Sequence, residues 1–114
     1  MADALIGADT LADRVLECVA VRSESPDVKT FVFRDTESDA PRFVAGQSML
    51  LTLDIDGERV DRTFSIASAP LAFAEPDTLL ELTLKRQPAG RVTRWLHDEL
   101  KPGMRVRSRY PAIR

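Results

Sequence analysis

The stretch SMLLTLDIDGERVDRTFSIA, residues 48–67, decides how this chain folds. Over residues 48–54 every second side chain is apolar, which predicts a β-strand with one buried face. Asp56 and Gly57 follow, and an Asp-Gly pair between two such runs is a strong signal for a two-residue hairpin turn. Residues 59–67 then read as the return strand, so the stretch predicts an antiparallel β-hairpin.

Strand patterns on both sides of this hairpin make the chain mostly β. Alternating or valine-rich runs predict four more strands, at residues 14–22, 29–34, 78–86 and 104–110. Turn-forming residues at 23–27 join the first two of these into a second hairpin. Polar surface loops are expected at residues 35–42 and 69–77, and residues 1–13 are a weakly patterned N-terminal lead-in.

One helix is predicted between the last two strands. Residues 91–100 place Val92, Trp95 and Leu96 at helical spacing, and a Pro-Gly pair ends the run. Strands and helices do not alternate along the chain as they do in proteins with a parallel sheet. The pattern therefore predicts an all-β fold, a six-stranded antiparallel Greek-key barrel with one α-helix covering an open end.

Composition excludes several classes of function. The chain has 114 residues, 44% hydrophobic and 30% charged, which is typical of one globular domain. Its net charge of -2 provides no field suited to nucleic acid. The single cysteine, Cys18, excludes an internal disulfide and a cysteine-held iron–sulfur cluster, and the single histidine, His97, argues against a histidine-rich metal site. With no apolar run long enough for a membrane span and no signal peptide, a cytoplasmic location is expected.

The segment from Arg62 to Ser68 carries side chains suited to a flat, phosphate-bearing molecule. Strand alternation places Arg62 and Phe64 on one side and Thr63 and Ser65 on the other. A guanidinium can bind a phosphate with paired donors, and an aromatic ring can lie on a heteroaromatic face. A hydroxyl can donate to a ring nitrogen, so this strand end is a candidate cofactor site.

Three segments together resemble the flavin-binding barrel of the ferredoxin–NADP reductase superfamily. They are RTFSIAS at residues 62–68, LELTLKR at 80–86 and GRVTRWLHDELKPG at 90–103. Their order and spacing fit that family, and the likeness extends over residues 15–106. The family barrel is a six-stranded Greek key with a single covering helix, in agreement with the strand pattern. The resemblance implies FAD as the cofactor, with FMN as the less favoured alternative.

The resemblance also implies a role for each matched position. Arg62 would hold the flavin phosphate, Phe64 would stack on or beside the isoalloxazine ring, and Ser65 would hydrogen-bond near flavin N5 as the one catalytic residue. The remaining implied cofactor-binding positions are Thr63, Ile66, Ala67, Ser68, Leu84, Lys85, Gly90, Arg91, Val92 and Thr93, with Arg86 beside them. The last four of the binding positions form a glycine-to-helix corner, where free backbone N–H groups and the helix dipole suit a pyrophosphate.

The domain expectation is a lead-in at residues 1–13 and one flavin-binding barrel domain at residues 14–114, ending before any nicotinamide-binding domain. In the family, hydride passes from a nicotinamide to the flavin, and electrons leave to an iron–sulfur centre or haem. The expected partners are therefore a nicotinamide-binding domain or subunit and an iron–sulfur protein. The barrel alone is not expected to be a competent enzyme.

Departures from the family pattern and two other functions complete the sequence-based picture. Position 64 is phenylalanine where tyrosine is common, and residues 110–114 replace a glycine-rich segment. A non-enzymatic barrel that binds a partner protein or persists as an apo-scaffold is the first alternative. An oligonucleotide-binding barrel is the second, disfavoured by the acidic balance and few aromatic residues.

Several residues have ordinary structural interpretations. Cys18 is expected to be a small buried apolar group and Trp95 a core residue, whereas His97 is expected at the surface or at a helix cap. The alternating arginines Arg105, Arg107 and Arg109 are expected to form a solvated outer stripe, with docking of an acidic electron carrier as the less favoured alternative.

Overall fold

The computed structural model describes residues 13–37, 46–67 and 79–112. The strands are β1 Arg14–Ser25, β2 Val28–Asp35, β3 Ser48–Ile55, β4 Glu58–Ser65, β5 Leu79–Lys85 and β6 Arg105–Ala112, and the helix α1 is Arg91–Glu99. All six strands form one sheet in the order β4-β3-β6-β1-β2-β5, and every neighbouring pair is antiparallel. The predicted all-β, six-stranded antiparallel fold with one helix is confirmed.

The sheet curls into a barrel that stays open along one seam. Its end strands, β4 and β5, run in opposite directions and do not pair with each other in the described residues. Just beyond β4, the Ala67 N–H donates to the Glu81 carbonyl of β5 at 2.7 Å. Among the described residues this bond joins the two edges at one point, so a seam between β4 and β5 is left along the rest of their length.

The β3–β4 hairpin has the predicted tight turn. Asp56 and Gly57 both have positive φ, 54° and 81°, as a type I′ turn requires. The register runs without a shift from the Ile55–Glu58 pair to the Ser48–Ser65 pair. Because the register is regular, the face and the hydrogen-bonding direction of every β4 residue follow from the turn.

The core fills the barrel and is closed at one end by α1. Phe31, Phe33 and Leu82 are fully buried strand residues, and Val92 and Leu96 of the helix pack onto the same cluster. Burial of this apolar surface is the main force that holds the helix over the barrel end. Cys18 is buried as expected, and Trp95 is half-buried against the core.

Two expectations about polar residues are wrong. His97 is buried, not exposed: its ring lies edge-on to Phe31, and its Nε2 is 2.8 Å from the Leu84 carbonyl. Asp35 belongs to β2 and is buried, whereas the sequence placed it in a surface loop. A carboxylate is tolerated there because Arg14 pairs with it and the Tyr110 hydroxyl donates to it at 2.6 Å.

The other boundaries agree closely with the predicted ones. β1 continues to Ser25 and β2 begins at Val28, so the turn that joins them is shorter than expected. The lead-in up to residue 12, residues 38–42 of the loop predicted at 35–42, and the loop at 69–77 lie outside the described residues. No helix in the described ranges is long and apolar enough to cross a membrane.

Candidate functional site

The outer edge of β4 presents main-chain groups that no strand in the described ranges pairs. The closing pair of this two-residue hairpin, Ile55 and Glu58, is hydrogen-bonded. Beginning with residue 59, every second residue of β4 therefore points its N–H and C=O away from β3. Thr63 and Ser65 fall in this outward set. Ala67 continues it, and its N–H is the one that reaches β5. The free groups of Thr63 and Ser65 therefore line the seam next to the point of closure.

Arg62 and Phe64 lie on the face of β4 that is turned toward the core. Arg62 pairs across the hairpin with Leu51, and Phe64 pairs with Met49. Phe64 is half-buried against the core, which leaves part of its ring accessible. The ring therefore has one surface in the core and another that a ligand can reach.

The Arg62 guanidinium is available for an anion. Its side chain is exposed, and its one described hydrogen bond is a long contact of 3.4 Å from Nη1 to the carbonyl of the adjacent Asp61. It forms no ion pair with any described residue, whereas Arg59, three positions earlier, is paired with the Asp61 carboxylate. A cation without a carboxylate partner on an open strand edge fits the predicted phosphate contact.

The hydroxyls of Thr63 and Ser65 are exposed and have no partner among the described residues. Ile66 differs from them, because its side chain is in the core and its main chain is bonded to residues 46–47. Ala67 is held by β5. These bonds fix the main chain immediately after Ser65, and Ser68 lies outside the described residues.

The start of α1 is uncapped. Gly90 precedes it with no side-chain cap, and the first turn contains no acidic residue. The first intrahelical bond is made by the Arg94 N–H to the Gly90 carbonyl, so the N–H groups of residues 91–93 have no intrahelical partner. Three donors without a partner among the described residues, at the positive end of a helix dipole, form a fitting site for a pyrophosphate.

A closed turn shapes the main chain in front of the helix. The Thr93 hydroxyl accepts from the Gln87 N–H at 3.0 Å and lies 3.3 Å from the Gly90 carbonyl. A Cβ on Gly90 would lie 2.7 Å from the Thr93 hydroxyl oxygen and 2.9 Å from the Gln87 Cβ, so only glycine fits without a shift. The Thr93 side chain thus stabilises the turn. The groups that this corner can offer to a ligand are the backbone N–H groups of residues 91–93.

The remaining predicted contacts lie at the end of β5, the other side of the seam. Leu84 packs partly against the core, and its carbonyl is bound by His97. Lys85 lies 3.7 Å from an Asp27 carboxylate oxygen, and Arg86 makes a two-pronged pair with Asp98. These partners make Lys85 and Arg86 less available to a cofactor than Arg62 is.

Arg91 has hydrogen-bond partners that no pattern in the sequence predicted. Its Nη1 donates to Glu58 Oε1 at 2.8 Å, and its Nη2 donates to the Ile55 carbonyl at 2.9 Å. Both acceptors belong to the β3–β4 hairpin. The contact joins the start of α1 to the beginning of β4, so the helix N-terminus and Arg62 are brought toward one side of the barrel.

A separate cavity of about 290 Å³ lies where β3 and β6 diverge, and its lining includes Leu53, Trp95, Met104 and Arg105. None of the predicted cofactor-binding residues that the structure describes lines it. Its walls combine apolar side chains with arginines and Asp54, without the uncapped helix start found beside the seam.

Comparisons with known proteins point to one family. The model of the family described as "Oxidoreductase FAD-binding domain" matches residues 16–114. A glycine betaine monooxygenase reductase subunit from Pseudomonas aeruginosa is 41% identical over 92 residues, which are 81% of this chain and 24% of the relative. A stachydrine N-demethylase reductase subunit from Rhizobium meliloti is 39% identical over 97 residues, 85% of this chain and 26% of the relative.

A solved structure agrees with these relatives. The ferredoxin reductase in carbazole 1,9a-dioxygenase superposes with a TM-score of 0.73 at 30% identity, over 88% of this chain and 29% of that chain. The present chain thus spans about a quarter of the length of the curated relatives that it matches.

Proposed function

Since this chain belongs to the family of oxidoreductase FAD-binding domains, we propose that it holds FAD in the seam beside β4 as the flavin domain of an NAD(P)H-dependent electron-transfer reductase. One observation carries the placement. The uncapped helix start is bonded through Arg91 to Glu58 of β4, and Arg62, an arginine without a described ion-pair partner, lies on the same face of that strand beside main-chain groups that no described strand pairs. The arginine and the helix start offer cationic and N–H donors to a pyrophosphate. The exposed hydroxyls of Thr63 and Ser65 offer donors to a ring.

Each residue of the seam has a distinct proposed task. Arg62 and the N–H groups of residues 91–93 bind the pyrophosphate, since charge-assisted bonds from a guanidinium and from a helix start suit it. Phe64 supports the isoalloxazine ring through its accessible surface. Ser65 donates a hydrogen bond near flavin N5, and Thr63 lines the same edge.

The fixed main chain around this strand is what orients those groups. Ile66 is anchored in the core and Ala67 is bonded to β5, so the main chain is fixed immediately after Ser65. When bound, the flavin supplies hydride acceptance and the onward transfer of single electrons. The protein binds and orients the flavin and excludes competing partners. This task needs no acid–base pair in this chain.

The names of the relatives support a proposal for the partners. Their names describe reductase subunits of a monooxygenase and an N-demethylase, and a ferredoxin reductase in a dioxygenase. We therefore propose an iron–sulfur or haem acceptor for the electrons, and a nicotinamide-binding domain or subunit as the hydride source. A cytoplasmic setting is proposed because nicotinamide cofactors and reduced iron–sulfur proteins are found there.

Calorimetric titration of the purified chain with FAD, FMN and riboflavin tests the proposal. We expect saturable binding in the order FAD, FMN, riboflavin, because the phosphate groups meet Arg62 and the helix start. We also expect slow NADH oxidation by the chain alone, restored by a nicotinamide-binding partner. Absence of any flavin binding to the folded chain would refute the proposal and favour a non-enzymatic barrel.

A further inference from the structure

We propose that Glu58 and Arg91 form a clamp that positions the first turn of α1 against β4, so that the helix N–H groups and Arg62 bind the same pyrophosphate. The inference rests on the proposed function and assigns Arg91 a positioning role through its side chain. Arg91 is the first residue of the helix, so a bond made by its side chain acts directly on the donors of residues 91–93.

The contacts direct the guanidinium toward the β3–β4 hairpin. One terminal nitrogen donates to the Glu58 carboxylate at 2.8 Å, and the other donates to the Ile55 carbonyl at 2.9 Å. Both terminal nitrogens of the planar fork are thereby used on one hairpin. The phosphate-binding groups at this corner are then the backbone N–H groups, and the Arg91 side chain holds them in place.

The clamp secures a side of the helix where the described residues provide no other polar contact. Toward β2 and β5, α1 is held by His97 to the Leu84 carbonyl and by the Lys29 ammonium to the His97 carbonyl, 2.9 Å away. Toward the β3–β4 hairpin, the bonds of Arg91 are the polar contacts that the described residues provide. Without them the helix start is free to shift relative to Arg62.

Glu58 lies on the same face of β4 as Arg62, because the two residues are four positions apart in a regular strand. The distance along the strand between them is about 13 Å. A carboxylate placed near a phosphate site repels the ligand, so simple electrostatics predicts that removing its charge strengthens FAD binding. The clamp predicts the opposite sign, which separates the two interpretations.

The test compares Glu58→Gln, Arg91→Gln and the double variant, with Glu17→Gln as the matched control. Glu17 accepts from Arg34 at 3.3 Å on the β1–β2 side, so the control removes the same charge from another exposed pair. Dissociation constants for FAD and riboflavin are measured by fluorescence titration. Riboflavin lacks the pyrophosphate and reports on the ring site alone.

We expect either single substitution to weaken FAD binding about fivefold, the double variant to be no weaker than the singles, and riboflavin binding to change by less than about twofold. The Glu17→Gln variant should match the unmodified chain. Unchanged or tighter FAD binding by Glu58→Gln, or equal losses for FAD and riboflavin, would overturn the clamp.

A flavin-free measurement keeps this test separate from the proposed function. Hydrogen exchange of the Arg94 amide, which makes the first bond of α1 to the Gly90 carbonyl, reports on the helix start directly. The clamp predicts faster exchange in Glu58→Gln and no change in Glu17→Gln. Unaltered exchange contradicts the clamp even if FAD binds. Absence of flavin binding by the unmodified chain, with faster exchange in Glu58→Gln, refutes the proposed function and the role of the clamp in pyrophosphate binding.

Discussion

At the scale of single residues, long-range polar contacts explain most of what the sequence left out. Asp35 follows a strand and precedes polar residues, so local pattern placed it in a loop. Its partners, Arg14 and Tyr110, lie 21 and 75 residues away and bring a carboxylate, a guanidinium and a phenol together where β1, β2 and β6 approach each other. No local rule connects such distant positions, although each residue type on its own is ordinary.

Tyr110 provides a clean spectroscopic test of this cluster because it is the only tyrosine. Burial first, and then its bond to Asp35, raise the pKa of the Tyr110 hydroxyl well above its usual range. Folding therefore favours the neutral phenol, and that stabilisation is lost as the pH rises past about 10, where an unfolded tyrosine ionises.

We expect the phenolate absorbance at alkaline pH to appear together with the loss of native circular dichroism. A free tyrosine derivative, titrated alongside, should ionise near its ordinary pKa. An ionisation near pH 10 with the fold intact would show that Tyr110 is accessible, contrary to its burial in the structure.

Arg62 gives the residue-scale test of the cofactor site. Because its guanidinium has no described carboxylate partner, Arg62→Gln should leave stability nearly unchanged and weaken FAD binding about tenfold, the size of a lost charge-assisted contact. The control is Arg105→Gln, which removes the charge of an exposed arginine on β6. Calorimetry with both variants checks the prediction, and an equal loss in the two would indicate a nonspecific charge effect.

At the scale of elements, the alternation of apolar and polar residues and the turn-forming residues were sufficient to predict the central hairpin. The pattern around Asp56 and Gly57 predicted β3, β4 and their two-residue turn, because a period of two and an Asp-Gly pair are local properties. Apolar spacing located α1 within one residue at its C-terminal end. His97 was misplaced because its partners, Leu84 and Phe31, lie on strands that the helix pattern does not reveal.

Gly90 tests the turn that leads into α1. In Gly90→Ala the new methyl group would lie within 3.0 Å of the Thr93 hydroxyl oxygen and the Gln87 Cβ, so the turn must open. We expect the free energy of unfolding to fall by about 1–2 kcal/mol, and FAD affinity to fall with it as the helix start shifts. Chemical denaturation followed by Trp95 fluorescence measures the first effect.

Arg94→Ala, at an exposed position of the same helix, serves as the control for Gly90→Ala. It should change stability by no more than a few tenths of a kcal/mol. Unaltered stability in Gly90→Ala would mean that the turn accommodates a side chain and that glycine is not required by packing at this corner.

At the scale of the whole molecule, the strand count and the single helix were enough to indicate a small barrel, and the family resemblance added the cofactor. The seam itself could not be read from the sequence. In the described residues it depends on the bond between Ala67 and Glu81 and on the absence of pairing between β4 and β5, which are consequences of sheet curvature. The proposal that the candidate site lies in the seam therefore rests on the three-dimensional structure.

The most direct test of that placement is a titration of the ¹⁵N-labelled chain with FAD, followed by amide chemical shifts. Our account predicts the largest changes at residues 62–65 and 91–93, with the amides of the β1–β2 hairpin nearly unaffected. Changes centred on the cavity between β3 and β6, or no changes at saturating FAD, would contradict it.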